Sequence, residues 1–164
     1  MATFLGTHIT DFDQTSIDFV GSNVHGGRLH VASSVDAIRD TANADNMMVL
    51  RIPVDAVIRA VYFACDALGA GTADIGFYRK NADGTYTAVD DDAIATAIAV
   101  TSAVAKTDVT YEAGATNIAF RNQRVWERAN LSARPSYSDM YIGYTFDTGT
   151  SSVATAMLDV EYTM

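Results

Sequence analysis

The sequence is short of the residues that staple small folds together. Its single cysteine, Cys65, cannot close an internal disulfide, and three histidines leave no inventory for a Cys/His zinc site. No stretch approaches the roughly 20 uninterrupted apolar residues of a membrane-crossing helix. The opening residues, 1–8, lack the basic and apolar regions of an export signal, which predicts a soluble chain. Basic residues are also scarce: 11 Lys and Arg stand against 20 Asp and Glu, a net charge of −9. A field of that sign repels phosphate and argues against nucleic acid and anionic membranes as partners. With neither disulfide nor zinc, the fold must rest on its apolar residues. At 49% of 164 residues they suffice for the core of one domain and exclude disorder.

What is present reads as β structure. Two prolines, Pro53 and Pro135, leave the backbone free to form ladders, while glycines and threonines punctuate short segments. Residues 1–26 are polar and weakly periodic, with Phe4, Phe12 and Phe19 set among Asp11, Asp13 and Asp18. They form an arm too polar to fold alone, lying either on its own domain or on something else. Residues 27–164 form a single β-sandwich domain. Its strands begin at 28–32, then 47–52, which Pro53 ends or places at an edge. In 57–66, Val57, Val61, Phe63 and Cys65 share one face, and Cys65 reads as a core thiol.

The segments 73–79 and 85–89 pair as a hairpin, because Asn81-Ala82-Asp83-Gly84 supplies the left-handed positions of a tight reversal. Asp90 then caps a short helix, with Asp91 and Asp92 in its first turn and Ile94, Ala97 and Ile98 on one face. Modest strands come next at 108–112 and 118–120, and 123–131 is a short helix or helical turn. Trp126 at its centre is expected to plug one end of the sheet packing. Two alternating strands, 140–146 and 157–162, finish the chain. The fold class is all-β: an antiparallel, jelly-roll-like β-sandwich of about eight strands, one or two short helices and an extended N-terminal arm.

Chemistry-bearing motifs are few. No Gly-x-Ser-x-Gly elbow exists, and Gly69-Ala70-Gly71-Thr72 lacks the lysine of a phosphate loop. His25 and His30 straddle a Gly-Gly turn and read as solvated loop histidines rather than metal ligands. Helix capping accounts for Asp90-Asp91-Asp92 more simply than calcium, whose ligand spacing the run does not match. No catalytic residue, metal or cofactor is predicted. Nine of the basic residues are arginine, and Arg121, Arg124, Arg128 and Arg134 cluster around Trp126 with Tyr137 just beyond. Arg124 and Arg128, four apart, fall on one helical face. These residue types concentrate energy at interfaces, and they equally pair with carboxylates of their own domain; both readings stand.

Four segments in order carry a family resemblance: Leu50-Arg51-Ile52-Pro53, Asp74-Ile75-Gly76-Phe77-Tyr78, Val89-Asp90-Asp91-Asp92 and Arg124-Val125-Trp126-Glu127-Arg128-Ala129-Asn130-Leu131. Together they resemble small tailed-bacteriophage virion proteins of the capsid decoration, or cement, type. The resemblance covers roughly residues 47 to 163, and Asn130 stands where that group often has glycine. It implies a β-sandwich on the capsid exterior, made in the host cytoplasm and carried on the virion. Its partners are then the major capsid protein and other copies of itself, as dimer or trimer, and no bond is made or broken. Phe4, Phe12, Phe19, Arg121, Arg124, Arg128, Arg134 and Tyr137 are the candidate contacts; Trp126, Gly84 and Pro53 are candidate structural positions. The alternative is a carbohydrate- or receptor-binding module of a phage fibre or spike, with Tyr62, Tyr78, Tyr86, Tyr137 and Tyr141 lining a groove. For an enzyme, only paired-carboxylate glycoside chemistry is within this residue set, and nothing holds two carboxylates at a set distance.

Overall fold

The computed structural model describes residues 3–5, 29–38, 45–69, 71–112, 118–147 and 153–164. His8, Phe12, Phe19 and His25 lie outside them, and at Phe4 only the backbone is described. The strands are β1 (Thr3–Leu5), β2 (Leu29–Ile38), β3 (Asn46–Pro53), β4 (Val57–Cys65), β5 (Thr72–Lys80), β6 (Tyr86–Ala99), β7 (Val104–Asp108), β8 (Asp139–Phe146) and β9 (Ala154–Thr163). Two sheets face each other, ordered β1-β3-β8-β5-β6 and β2-β9-β4-β7. Every strand-to-strand connection from β1 onward crosses between the sheets except the β5–β6 hairpin. Pairing among these strands is antiparallel, save for β1 alongside β3. The all-β, mainly antiparallel sandwich expected from the sequence is therefore the observed architecture.

The core lies between the sheets. Phe63 meets Tyr144 edge-on at 5.6 Å, and Tyr144 tilts against Phe146 at 6.3 Å. Bulges let the strands serve this core without a strict period of two. On β3, Met47 and Val49 face inward, and after a register shift between Met48 and Leu50 so do Leu50 and Ile52. On β4 a shift between Ile58 and Ala60 does the same, so that Ile58, rather than the expected Val57, joins Val61, Phe63 and Cys65. Cys65 is buried, as expected of a core thiol, and burial raises its pKa. Central strand β8 is buried along both faces, because Tyr141 packs with Met48 and Tyr78 in a second cluster closed by Tyr86. Pro53 is the last residue of β3, opposite Asp139.

The Asn81–Gly84 reversal forms as expected: the Asn81 N–H donates to Thr85 O at 2.7 Å, and Gly84 takes φ +85°. Past the return strand the fold departs from the sequence reading. There is no helix after Asp90; β6 continues through Asp90-Asp91-Asp92 to Ala99. It uses 14 residues against the 9 of β5, and the surplus is taken up by three register shifts. Those bulges place Ile94 and Ala95 both inward and put Ala97 at φ 53°, a spacing that imitates a helical face. Further on, the strand expected at 108–112 lies earlier, as β7, because Thr110 turns inward and its hydroxyl accepts from the Val61 N–H at 2.8 Å. Residues 118–120 belong to a short 3₁₀ helix, Ile118–Asn122, and not to a strand. A single helical turn, α1 (Val125–Arg128), sits within the predicted 123–131 segment.

Two glycines in this hairpin make different demands. A Cβ on Gly76 would lie 2.2 Å from the Asp90 carbonyl oxygen and the Asp91 carbonyl carbon, both backbone atoms that cannot swing aside. A Cβ on Gly84 meets nothing within 4 Å, so only its φ of +85° resists substitution. Gly76→Ala should thus lower unfolding free energy by about 3 kcal/mol or more, and Gly84→Ala by about 1 kcal/mol. Urea unfolding of the two variants beside the parent checks the order.

Candidate functional site

The arginine-rich segment is anchored from beneath. The Val125 N–H donates to Ala56 O at 2.8 Å and the Trp126 N–H to Val54 O at 3.2 Å, which ties α1 to the β3–β4 connection. Val125 is fully buried and Trp126 only partly, so the plug expected of the tryptophan is supplied by the valine; the indole packs against the core from the side. Arg124 precedes the helix in extended conformation, at φ −69° and ψ 159°, and its N–H donates to the Glu127 carboxylate at 2.7 Å. Asn130 adopts φ 57° just past the helix. Asparagine tolerates that left-handed conformation, which explains how it stands where a glycine would serve.

The predicted arginines divide into two environments. Arg134 grips Asp55 through two nitrogens, Nε at 3.0 Å from Oδ1 and Nη2 at 2.7 Å from Oδ2, while Arg124 reaches the same carboxylate at 3.3 Å. The Arg134 hydrogen bonds hold the Asp55 carboxyl below its usual range. Both arginines and Arg121 are exposed, the Arg121 carbonyl accepts from Arg59 at 3.1 Å, and Tyr137 is half-buried nearby in sequence. Arg128 departs from this group: it is only 7% exposed and does not share a face with Arg124, whose backbone is not helical. Its Nη2 donates to the Thr110 carbonyl, and its guanidinium carbon lies 5.6 Å from the centre of the Tyr111 ring.

Arg128 lines a cleft of about 310 Å³ together with Asp90, Asp92, Ala93, Ile94, Tyr111, Phe120, Gln123, Glu127 and Asn130. The cleft joins the bulged part of β6 to α1, a meeting that the expected Asp90 helix cap concealed. The usable signal was the acidic triplet inside an unbroken strand. Burial first, then the hydrogen bond and charge of Asp92, raise the Asp90 carboxyl to about 6. Burial lowers the Arg128 guanidinium to about 10. Among the described residues, no three His, Cys, Asp or Glu converge closely enough to hold a metal ion. His30 is not a loop residue: on β2 it stacks on Tyr162 at 5.3 Å, since β2 runs ten residues from Leu29.

The raised Asp90 carboxyl has a signed consequence for stability. The folded chain binds this proton more tightly than the unfolded chain, whose carboxyl titrates near 3.8, so its contribution falls as pH rises from about 4 through about 6. Asp90→Asn should therefore be more stable than the parent near pH 8, with the advantage vanishing below about pH 4. Thermal unfolding of both proteins across that range measures the difference; an advantage that grows toward acid would contradict the assignment.

No protein-family model matches the sequence, and no curated protein matches it. Two solved structures share its fold. A chain in the capsid of Ralstonia phage GP4 aligns with a TM-score of 0.64 at 18% identity, over 99% of this chain and 98% of that one. A chain in the capsid asymmetric unit of cyanophage Pam1 aligns with a TM-score of 0.54 at 14% identity, over 92% and 94%. The chain thus shares its fold with proteins of two phage capsids.

Proposed function

We propose that this chain is a structural protein of the virion that decorates the outside of an assembled phage head and stabilises contacts between capsomers. The observation that carries the reading is the sandwich shared over 99% of this chain with a protein of the GP4 capsid. The net charge of −9 supports an outer position, since packaged DNA repels an acidic protein. Such a protein acts by mass action: it binds the assembled lattice better than the free subunit and stabilises the lattice by that difference, multiplied over many copies. Its partners are the major capsid protein and other copies of itself, and it works on the virion surface after synthesis in the host cytoplasm.

The contact surface we assign is the exposed arginine edge, Arg121, Arg124 and Arg134, with Tyr137, together with the aromatics of the arm, Phe4, Phe12 and Phe19. Arg128 is turned inward and lies off that edge. Of the five tyrosines assigned to a glycan groove, two are buried, Tyr78 at 0% and Tyr141 at 6% exposure, so neither offers a ring to a sugar.

Deleting residues 2–20 should leave a folded sandwich that no longer sediments with particles lacking the native chain, whereas the full chain added to those particles cosediments and raises their heat resistance. Unchanged binding by the deletion variant disposes of the role given to the arm. Closed shells formed by the full chain alone would identify it as a main shell subunit instead.

A further inference from the structure

The sheet edges differ in how they are guarded. β1 is only three residues long, β7 is five long and carries Lys106 and Asp108, and β6 is bulged and carries Asp90, Asp91 and Asp92. Shortness, charge and bulges are the devices that keep an edge from pairing with another chain. β2 has none of them. It runs ten residues, pairs with β9 at every one without a register shift, and contains no proline, lysine or arginine. Its one carboxylate, Asp36, is buried, while Leu29, Val31 and Val35 stand 55%, 61% and 60% exposed on the outer face.

The backbone of this edge has a direction that the neighbouring strands fix. Val61 uses both its peptide groups on the side away from β9: its carbonyl accepts from the Val109 N–H at 2.8 Å, and its N–H donates to the Thr110 hydroxyl at 2.8 Å. Direction alternates along an antiparallel strand, so Val160, opposite Val61, turns both groups to β2, and Ala32, opposite Val160, turns both to β9. Leu29, Val31, Ser33, Val35 and Ala37 therefore hold N–H and carbonyl groups out from the sheet, with no strand beside them among the described residues.

We infer that β2 is a contact between two copies of this chain, paired antiparallel with itself about a two-fold axis through Ser33. In that register Leu29 meets the partner's Ala37, Val31 the partner's Val35, and Ser33 its own counterpart, so every outward-facing residue sits in a hydrogen-bonded pair. A slip of one residue sets these groups against groups turned away, and a slip of two leaves one of them beyond the paired stretch. Charge also favours a second copy. His30 comes opposite the partner's Asp36, and no like charges face each other along the contact, although the chain as a whole carries −9. Asp159, one strand back opposite Ser33, stays about 14 Å from its counterpart, three strand spacings and beyond the screening length of about 8 Å. The two-fold contact occupies both β2 edges and closes at a dimer. It gives a surface to the contact between copies proposed above, and rests on that reading for its place in the shell.

Sedimentation equilibrium of the full chain should show reversible exchange between monomer and dimer. Val31→Lys with Val35→Lys sets like charges opposite each other twice and should weaken the dimer about tenfold or more. Val31→Lys with Val35→Glu sets opposite charges in the same two pairs and should stay within about threefold of the parent. Ser33→Pro removes the central N–H at an edge position that accepts proline, and should abolish pairing. The valine variants change only exposed positions, so their folding should match the parent's in urea. A parent still monomeric at about 1 mM, or a trimer, would overturn the two-fold contact. So would a Lys/Lys variant that dimerises like the parent, or a Lys/Glu variant as weak as Lys/Lys. Protection of the β2 amides from exchange on particles, with a monomeric parent in solution, would assign the edge to a capsid strand and overturn the second copy. A chain that binds no particles defeats the decoration reading, and sedimentation still decides the pairing.

Discussion

The packing of the β6 backbone onto Gly76 is the contact on which the rest of this sandwich turns. A hydrogen in place of a side chain lets Asp90 and Asp91 approach β5 to a distance that any Cβ would forbid. That approach allows a 14-residue strand to pair with one of nine residues, and the surplus has to leave the ladder as bulges. The bulges turn Ile94 and Ala95 into the core and carry Asp90 and Asp92 to the mouth of the cleft beside α1. A single missing side chain thus couples core packing to surface electrostatics. The raised Asp90 carboxyl is a consequence of the same crowding, since burial and the neighbouring Asp92 both disfavour its charge.

The elements that sequence alone could read are those whose local signal agrees with their tertiary role. Asn81 to Gly84 demands a reversal whatever surrounds it, and β8 and β9 alternate cleanly because the extra residues at their register shifts fall in the partner strands β3 and β4. Two of the misread elements share a physical cause. In β4 and β6 a bulge changes which residues face inward, so a period-two or helical reading assigns the wrong face: Val57 in place of Ile58, and an Ile94, Ala97 and Ile98 stripe in place of a strand. Bulges are set by partner strands remote in sequence, and no local pattern announces them. The same holds for Arg128. Its separation from Arg124 depends on where the helix begins, and that is fixed by hydrogen bonds from Val125 and Trp126 to Ala56 and Val54, about seventy residues earlier.

The pairing of Arg124 and Arg134 with Asp55 bears on whether they are also available to a partner. All three side chains are between 37% and 53% exposed, and ion pairs in that setting contribute only about 0–1 kcal/mol net, because water and salt solvate the separated charges nearly as well. Exchanging Asp55 for a carboxylate on another subunit therefore costs the free protein little. The bidentate geometry meanwhile holds Arg134 in one orientation before contact, which reduces the side-chain entropy lost on binding. Arg128 is at the opposite extreme: it has little solvent and, among the described residues, no counter-ion, so it has no ion pair to exchange. The exposed edge is thus suited to weak, reversible contacts, in which one carboxylate replaces another at little cost.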